Sequence, residues 1–252
     1  MANLSGFSWG ATTTTNGDAG GLVSWSIAPA GLSTSIFPSG VGTSVDPNGI
    51  FSFDYNALID QAFDAWSQSG NIEFIELPDG GGNAGQGAVA DIRIFFGPVP
   101  GNTRGTIGAW QCDQNQQGGD MILDIDASIV NDPDKFYQLV LHEIGHALGL
   151  DHEDSGVTSV MTSTLSTGDL QADDINAIQA VYGVQDNADW SYDLSNSQTN
   201  FTVTNSSPGL TVNGNSQNNT IRGSNSAEMF NGQGGFDTIF AGLGDDTLNG
   251  GD

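Results

Sequence analysis

All three histidines of this chain stand within eleven residues, in the run Leu141-His142-Glu143-Ile144-Gly145-His146-Ala147-Leu148-Gly149-Leu150-Asp151-His152. On a helix, His142 and His146 lie one turn apart on the same face, close enough to hold one metal ion. Gly149 lets the chain leave the helix in a backbone conformation that other residues resist, and the turn can bring His152 back as a third ligand. Three imidazoles leave a tetrahedral zinc with one open position for water, the arrangement of catalytic rather than structural sites. Glu143 adjoins the first ligand and would face that water, take its proton and later pass it to a leaving amine. The opposite face carries Val140, Leu141, Ile144, Ala147 and Leu148, as a core helix requires. A single histidine here reads equally well as a hydrogen-bonded core residue. The five-point pattern with glycine and a third histidine is far more specific.

Composition narrows the partners. Thirty acidic side chains face four basic ones, a formal net charge of −26. No row of Lys or Arg exists to displace counterions from phosphates, which argues against nucleic acid as a partner and equally against an anionic membrane surface. The carboxylates read either as a solubilising surface or, for some of them, as oxygen ligands for calcium. Cys112 is the only cysteine, so no disulfide can form within the chain. No apolar run is long enough to cross a bilayer, and Met1 to Thr15 lacks the basic start and apolar stretch of a secretory signal.

The pattern divides the chain into an irregular lead-in over 1–20, a mixed α/β core over 21–184, a linker or bridging strands over 185–208, and a repetitive tail over 209–252. In the core, strands are expected over 22–28, 72–77, 91–96, 103–110 and 121–126. Asp54 caps a helix carrying Leu58, Ile59, Ala62, Phe63 and Trp66 up to Gly70. Asp132-Pro133 opens the histidine helix, expected to run to about Leu148. A third main helix is expected near 170–182. In the tail, Ile221, Phe230, Ile239 and Leu248 follow one another every nine residues. Asp237 and Asp246 precede the last two by two residues, and Gly235 and Gly244 precede those aspartates by two. This is the nonapeptide pattern of a parallel β-roll. Each apolar residue points inward from a short strand, glycines allow the turns, and Asp237, Asp246 and the turn backbone at Gly235 and Gly244 bind Ca2+ between turns. Asn219 and Glu228 stand where aspartate would be expected upstream, and the repeat reads as truncated at Asp252. The alternative is a disordered polar tail.

At the histidine run the sequence resembles the metzincin metallopeptidases. The resemblance continues at Ser159-Val160-Met161, which looks like that family's methionine turn, with Met161 packing beneath the zinc rather than ligating it. Within the metzincins, the helix with Phe63 and Trp66, the strand through Ile92, Arg93 and Ile94, the segment Gly118–Asp124 and the run Asp173–Gly183 resemble matrixins. The tail is instead similar to that of serralysins, secreted bacterial proteases with such rolls, although Thr162, Ser163 and Thr164 replace the tyrosine that follows their methionine turn. The resemblance implies an α/β (α+β) catalytic domain with a twisted mixed sheet and three main helices, followed by the roll module. It implies one catalytic Zn2+, because no histidine remains for a second, structural zinc and Ile122 occupies one of its ligand positions. Asp120 and Asp124 are calcium candidates by the same resemblance. Ala127 stands where an acidic partner would be expected, so solvated loop aspartates remain the other reading. Cys112 reads as a free thiol or, less simply, as a latch.

The function these features imply is a secreted, zinc-dependent endopeptidase, monomeric, acting on protein or peptide substrates and not inserted in a membrane. An extended substrate would pair with the edge strand Thr106, Ile107, Gly108, Ala109 and Trp110. Export would follow the one-step bacterial route that resemblance attaches to such repeats, whose C-terminal signal is absent from this chain. Two other functions fit parts of the sequence: a calcium-binding adhesin or matrix protein, and a zinc hydrolase of a non-protein amide.

Overall fold

The computed structural model describes residues 9, 21–37, 42–86, 90–99, 105–107, 119–125, 128–164, 167–185, 190–203 and 209–251, with backbone alone at 105–107. Gly108, Ala109, Trp110, Cys112, Gly118, Ala127, Asp252 and the lead-in other than Trp9 lie outside these residues.

Three helices and a five-stranded sheet form the larger part. The strands are β1 (Gly21–Ile27), β2 (Ile72–Glu76), β3 (Ile92–Gly97), β4 (Gly105–Ile107) and β5 (Met121–Asp124). They lie in the order β2-β1-β3-β5-β4, with β4 antiparallel to β5 and the other pairs parallel. The expected strands 72–77 and 91–96 thus appear shortened or shifted by one residue, β5 stops before Asp126, and of the expected strand 103–110 only 105–107 lie among the described residues. The helix α1 (Tyr55–Ser67) starts where Asp54 accepts from the Ala57 amide, and it ends before Gly70. Helix α2 (Pro133–Ala147) has Asp132 accepting from Lys135 N and proline in the first turn. Helix α3 (Ala172–Tyr182) begins two residues later than the periodicity suggests, because Gln171 and Asp174 form a reciprocal cap there.

Alternation along the strands sorts residues between two faces. Ile92, Ile94 and Phe96 of β3 and Met121 and Leu123 of β5 join Trp66, Leu141 and Ile144 in the main core under α1 and α2. Phe95 and Ile122 point to the other face and pack with Ala28, Phe37, Ala84 and Val99. Ile122, at the position where the resemblance puts a second zinc ligand, is therefore part of an apolar cluster. On that face Arg93 is buried and grips Asp79 through Nε (2.8 Å) and Nη2 (2.9 Å), with further bonds to the carbonyls of Gly82 and Asn83. Burial acts to raise the Asp79 carboxyl. Arg93, the Gly81 amide and the Ser26 hydroxyl outweigh it and hold the group below the usual range. The glycine-rich loop after β2 is thereby clipped to the sheet by a guanidinium.

The tail forms two further parallel sheets. One joins β6 (Ser191–Asp193), β8 (Thr211–Asn213), β10 (Met229–Asn231) and β12 (Thr247–Asn249); the other joins β7 (Asn200–Thr202), β9 (Thr220–Arg222) and β11 (Thr238–Phe240). Strands alternate between the sheets, so each pairs with the one two places later. These sheets begin at Ser191, within the stretch read as linker or bridging strands. Ile221 and Phe230 are fully buried; Ile239 and Leu248 pair in register with them on the neighbouring strands, where Ile239 is only partly covered and Leu248 is 53% exposed. The strands β11 and β12 are sheet edges, covered from one side only. The buried residues Leu194, Phe201, Val203, Leu210, Val212, Ile221 and Phe230 share a cluster with Ile75 and Leu77, so the tail packs on the β2 end of the large sheet. No described helix is long and apolar enough to cross a membrane.

Candidate metal centre

The packing of α2 places the site. Its buried face is anchored to α1 by the Trp66 indole N–H, which donates to Leu141 O at 3.0 Å. After Ala147 the helix ends in a tight turn. Gly149 N donates to His146 O, Leu150 N to Gly145 O, and Gly149 takes φ +95°, a conformation costly for any residue with a Cβ. The chain then runs back past α2, where Glu153 N donates to Met161 O at 2.8 Å.

This path brings the three histidines together. Their ring centroids are 4.6 Å (His142–His146), 4.7 Å (His146–His152) and 5.2 Å (His142–His152) apart. One ring nitrogen of each lies within 4.8 Å of the others, and among the described residues no other group of three or more His, Cys, Asp or Glu side chains meets that condition. His142 Nδ1 pairs with Val160 O at 2.7 Å and His146 Nδ1 with Leu150 O at 2.7 Å. A carbonyl only accepts, so each Nδ1 carries the proton and each Nε2 presents its lone pair. His142 Nε2 lies 3.3 Å from His152 Nε2. The carbonyl-bound tautomer of His142 leaves its Nε2 as an acceptor turned toward the His152 ring. Burial, His142 and His152 push His146 down to about 3, and burial with the His152 neighbour likewise lowers His142. The His142 and His146 rings are therefore held neutral, as metal ligands must be. The donor set fits zinc.

Glu143 is 5% exposed on the same helix, and burial pushes its carboxyl up to about 8. Met161 is buried beneath the helix: a Cβ added at Gly145 would strike its Sδ and also crowd Trp66. The turn holding Met161 is set by Asp174 of α3. That carboxylate is fully buried and accepts from Ser159 Oγ (2.5 Å), Val160 N (3.0 Å) and Gln171 N (2.8 Å). Val160 thus receives Asp174 at its N–H and His142 at its carbonyl. Sequence reasoning left Asp174 without a role. Its only signal was an acidic residue in the first turn of α3, which caps helices commonly. Trp9, from the lead-in, donates its indole N–H to Ala147 O at 2.8 Å and so satisfies a carbonyl at the end of the histidine helix.

The remaining candidates are separate from the triad. Asp120 Oδ2 accepts from Gly85 N at 2.7 Å, and Asp124 Oδ1 from Val99 N at 3.1 Å, so each ties a loop to β5. Burial raises Asp120 to about 6 even though the Gly85 amide and Arg93 act to lower it. Thr106 and Ile107 lie on the sheet's edge strand β4. Asp237 and Asp246 sit in tail turns, where their Oδ1 atoms accept from Asn219 N (2.8 Å) and Glu228 N (3.0 Å). Gly235 and Gly244 take φ of +114° and +117°, as the turns require.

The family model for matrixins matches residues 45–183. Interstitial collagenase of Equus caballus is 31% identical over 146 residues, which are 53% of this chain and 29% of that protein. Macrophage metalloelastase of Oryctolagus cuniculus is 30% identical over 151 residues (52% of this chain, 29% of that protein), and matrix metalloproteinase-C of Caenorhabditis elegans 28% over 154 (52% and 25%). The chain thus spans under a third of the length of these relatives. The family match takes in α1 to α3, the three histidines, Glu143 and the turn of Met161, and covers more than half of the chain: this protein belongs to the matrixin family.

Proposed function

We propose that the protein is a secreted zinc-dependent endopeptidase that hydrolyses peptide bonds of protein substrates. The observation that carries this reading is the triad of converging imidazoles, two of them held by backbone carbonyls, with a buried carboxyl at Glu143 beside them. His142, His146 and His152 would hold the zinc, which when bound supplies a Lewis acid that polarises the scissile carbonyl and acidifies water. Glu143 takes the proton of the attacking water and delivers it to the departing amine nitrogen. The edge strand, expected from the sequence over 106–110, would pair with an extended peptide backbone, giving affinity without demanding particular side chains. Residues between Met161 and Leu170 would wall the specificity pocket. Asp154 steadies this segment by accepting from Ser163 N and Oγ, both at 2.9 Å.

The tail reads as a β-roll that binds calcium through Asp237, Asp246 and the turn backbone at Gly235 and Gly244, in a protein that works outside the cell. Asp237 Oδ2 is buried without a hydrogen-bond partner, which favours a cation there. Asp120 and Asp124 are proposed as calcium ligands of the core, and the raised Asp120 carboxyl is the group a nearby dication would relieve.

The test compares the chain with Glu143→Ala on unfolded casein, in calcium, with zinc content measured on both. Cleavage by the parent, and a variant at least 1000-fold slower that keeps one zinc, is the expected result. Zinc in both without cleavage by either points to a non-protein amide. No zinc in either returns the adhesin reading.

A further inference from the structure

We propose that the tail divides in its need for a cation: the turns from Ser195 to Asn219 are closed by neutral amide side chains and stay folded without one, and calcium is required only by the turns that carry Asp237 and Asp246. The inference rests on the calcium reading given above and assigns that role to part of the tail.

The two halves place equivalent residues eighteen apart, one full circuit of the two sheets. In the upstream turn, Asn215 Nδ2 donates to Ser195 O (2.7 Å) and Gln198 O (2.8 Å). Asn219 Nδ2 donates to Gln198 O (3.2 Å) and Asn215 Oδ1 (3.1 Å), and its Oδ1 accepts from Asn215 N (2.9 Å). Asn215 and Asn219 are 4% and 1% exposed. Here the amide nitrogens gather the oxygens of successive turns, which is the task a cation performs between carboxylates. An amide both donates and accepts, so it closes the turn at no net charge.

One circuit later Asp237 stands in the place of Asn219. An ionised carboxylate only accepts. Its Oδ1 takes the Asn219 N–H, while Oδ2 is buried with no partner. A Cβ placed at Gly232 would strike both Asp237 Oδ2 and Gly250 O, so two oxygens flank one point with no donor between them. The same construction at Gly214 strikes Asn219 Oδ1 and Gly232 O, the equivalent pair, but there the side-chain oxygen accepts from Asn215 N, and the Nδ2 of the same amide gathers Gln198 O and Asn215 Oδ1. The upstream half also leans on Ile75 and Leu77 of the large sheet region, whereas Phe236 (89%) and Leu243 (69%) downstream are exposed. An amide ladder adds to the upstream closure: Asn231 Nδ2 donates to Asn213 Oδ1, and Asn213 Nδ2 to Asp193 Oδ1, both at 2.7 Å.

The test is hydrogen exchange by mass spectrometry on the whole chain, zinc-loaded, in millimolar calcium and in calcium-depleted buffer. Peptides covering 191–222 should exchange at the same rate in both, and peptides covering 232–251 at least tenfold more slowly with calcium. Equal slowing of both halves by calcium overturns the division while leaving the calcium reading intact. No calcium effect in either half overturns the division and the calcium reading together. The variant Asn219→Asp removes the two Nδ2 bonds and should make 191–222 calcium-dependent, with its protection restored in calcium. Unchanged exchange of that variant in depleted buffer would mean that the amides do not close these turns, against the proposal.

Discussion

Gly145 stands between the two helix-borne ligands, and Met161 Sδ occupies the space a side chain there would need. Overpacking of a dense core costs about 1–3 kcal/mol. Gly145→Ala should lower the unfolding free energy by that amount, and by tilting α2 it should weaken zinc binding about tenfold in chelator competition. A second prediction concerns Asp120. Its carboxyl is raised from 3.8 to about 6, chiefly by burial, so the folded chain holds that proton to a higher pH than the unfolded chain. Stability therefore falls as pH rises from about 4 to about 6, and the penalty is complete above that, at most about 3 kcal/mol. In calcium-free buffer Asp120→Asn, which keeps an oxygen for Gly85 N, should melt higher than the parent at pH 7.5 and equal it near pH 4. A gap that persists at pH 4 would assign the effect to packing instead. The ligands were legible at this scale because helical spacing alone puts His142 and His146 on one face. The fit of Met161 under Gly145 was legible only as family likeness, since the contact joins two segments.

At the scale of elements, α3 matters through one side chain. Asp174 caps its own helix at Gln171 N and at the same time holds Ser159 and Val160, and Val160 O holds His142. Asp174→Asn preserves shape and can keep an oxygen on Val160 N and Gln171 N, but it removes the charge and sets Nδ2 against Ser159 Oγ, whose proton loses its acceptor while the oxygen already accepts from Met161 N. It should cost about 1–3 kcal/mol of stability, the penalty for a buried donor left without an acceptor. Zinc affinity should drop 10- to 100-fold, the usual effect of losing a group that orients a ligand. Loss of stability with unchanged zinc affinity would show that the methionine turn does not set the His142 ring. Element types followed from local signals: Asp54 and Asp132 as caps, proline in the first turn of α2, β-branched runs for β2 and β3. Boundaries did not, because the start of α3 depends on the reciprocal cap between Gln171 and Asp174, and the ends of strands depend on their partners.

Across the whole molecule, the two largest of three apolar clusters separate the histidine helix from the tail. The main core surrounds α1 and α2, and a second cluster joins the tail to Ile75 and Leu77. Phe201 is 4% exposed in the second and stacks on Tyr192 with centroids 4.6 Å apart. Phe201→Ala should cost about 3–5 kcal/mol, a large-to-small truncation in a packed cluster. The loss should appear as earlier melting of the tail and faster exchange over 191–222, with zinc content and peptide hydrolysis unchanged. If hydrolysis falls in step, the tail and the metal centre unfold as one unit. What the sequence determined by itself was whatever depends on composition and short-range periodicity: the shared face of His142 and His146, the turn at Gly149, the nine-residue spacing of the tail and the net charge of −26. Tertiary structure alone decided the strand order β2-β1-β3-β5-β4, the guanidinium clip of Arg93 on Asp79, the link from Asp174 to His142, and the seating of the tail on β2. The physical reason is that each of these joins groups distant along the chain, and burial, which removes water as a competing partner, determines which of many possible polar and apolar pairs forms.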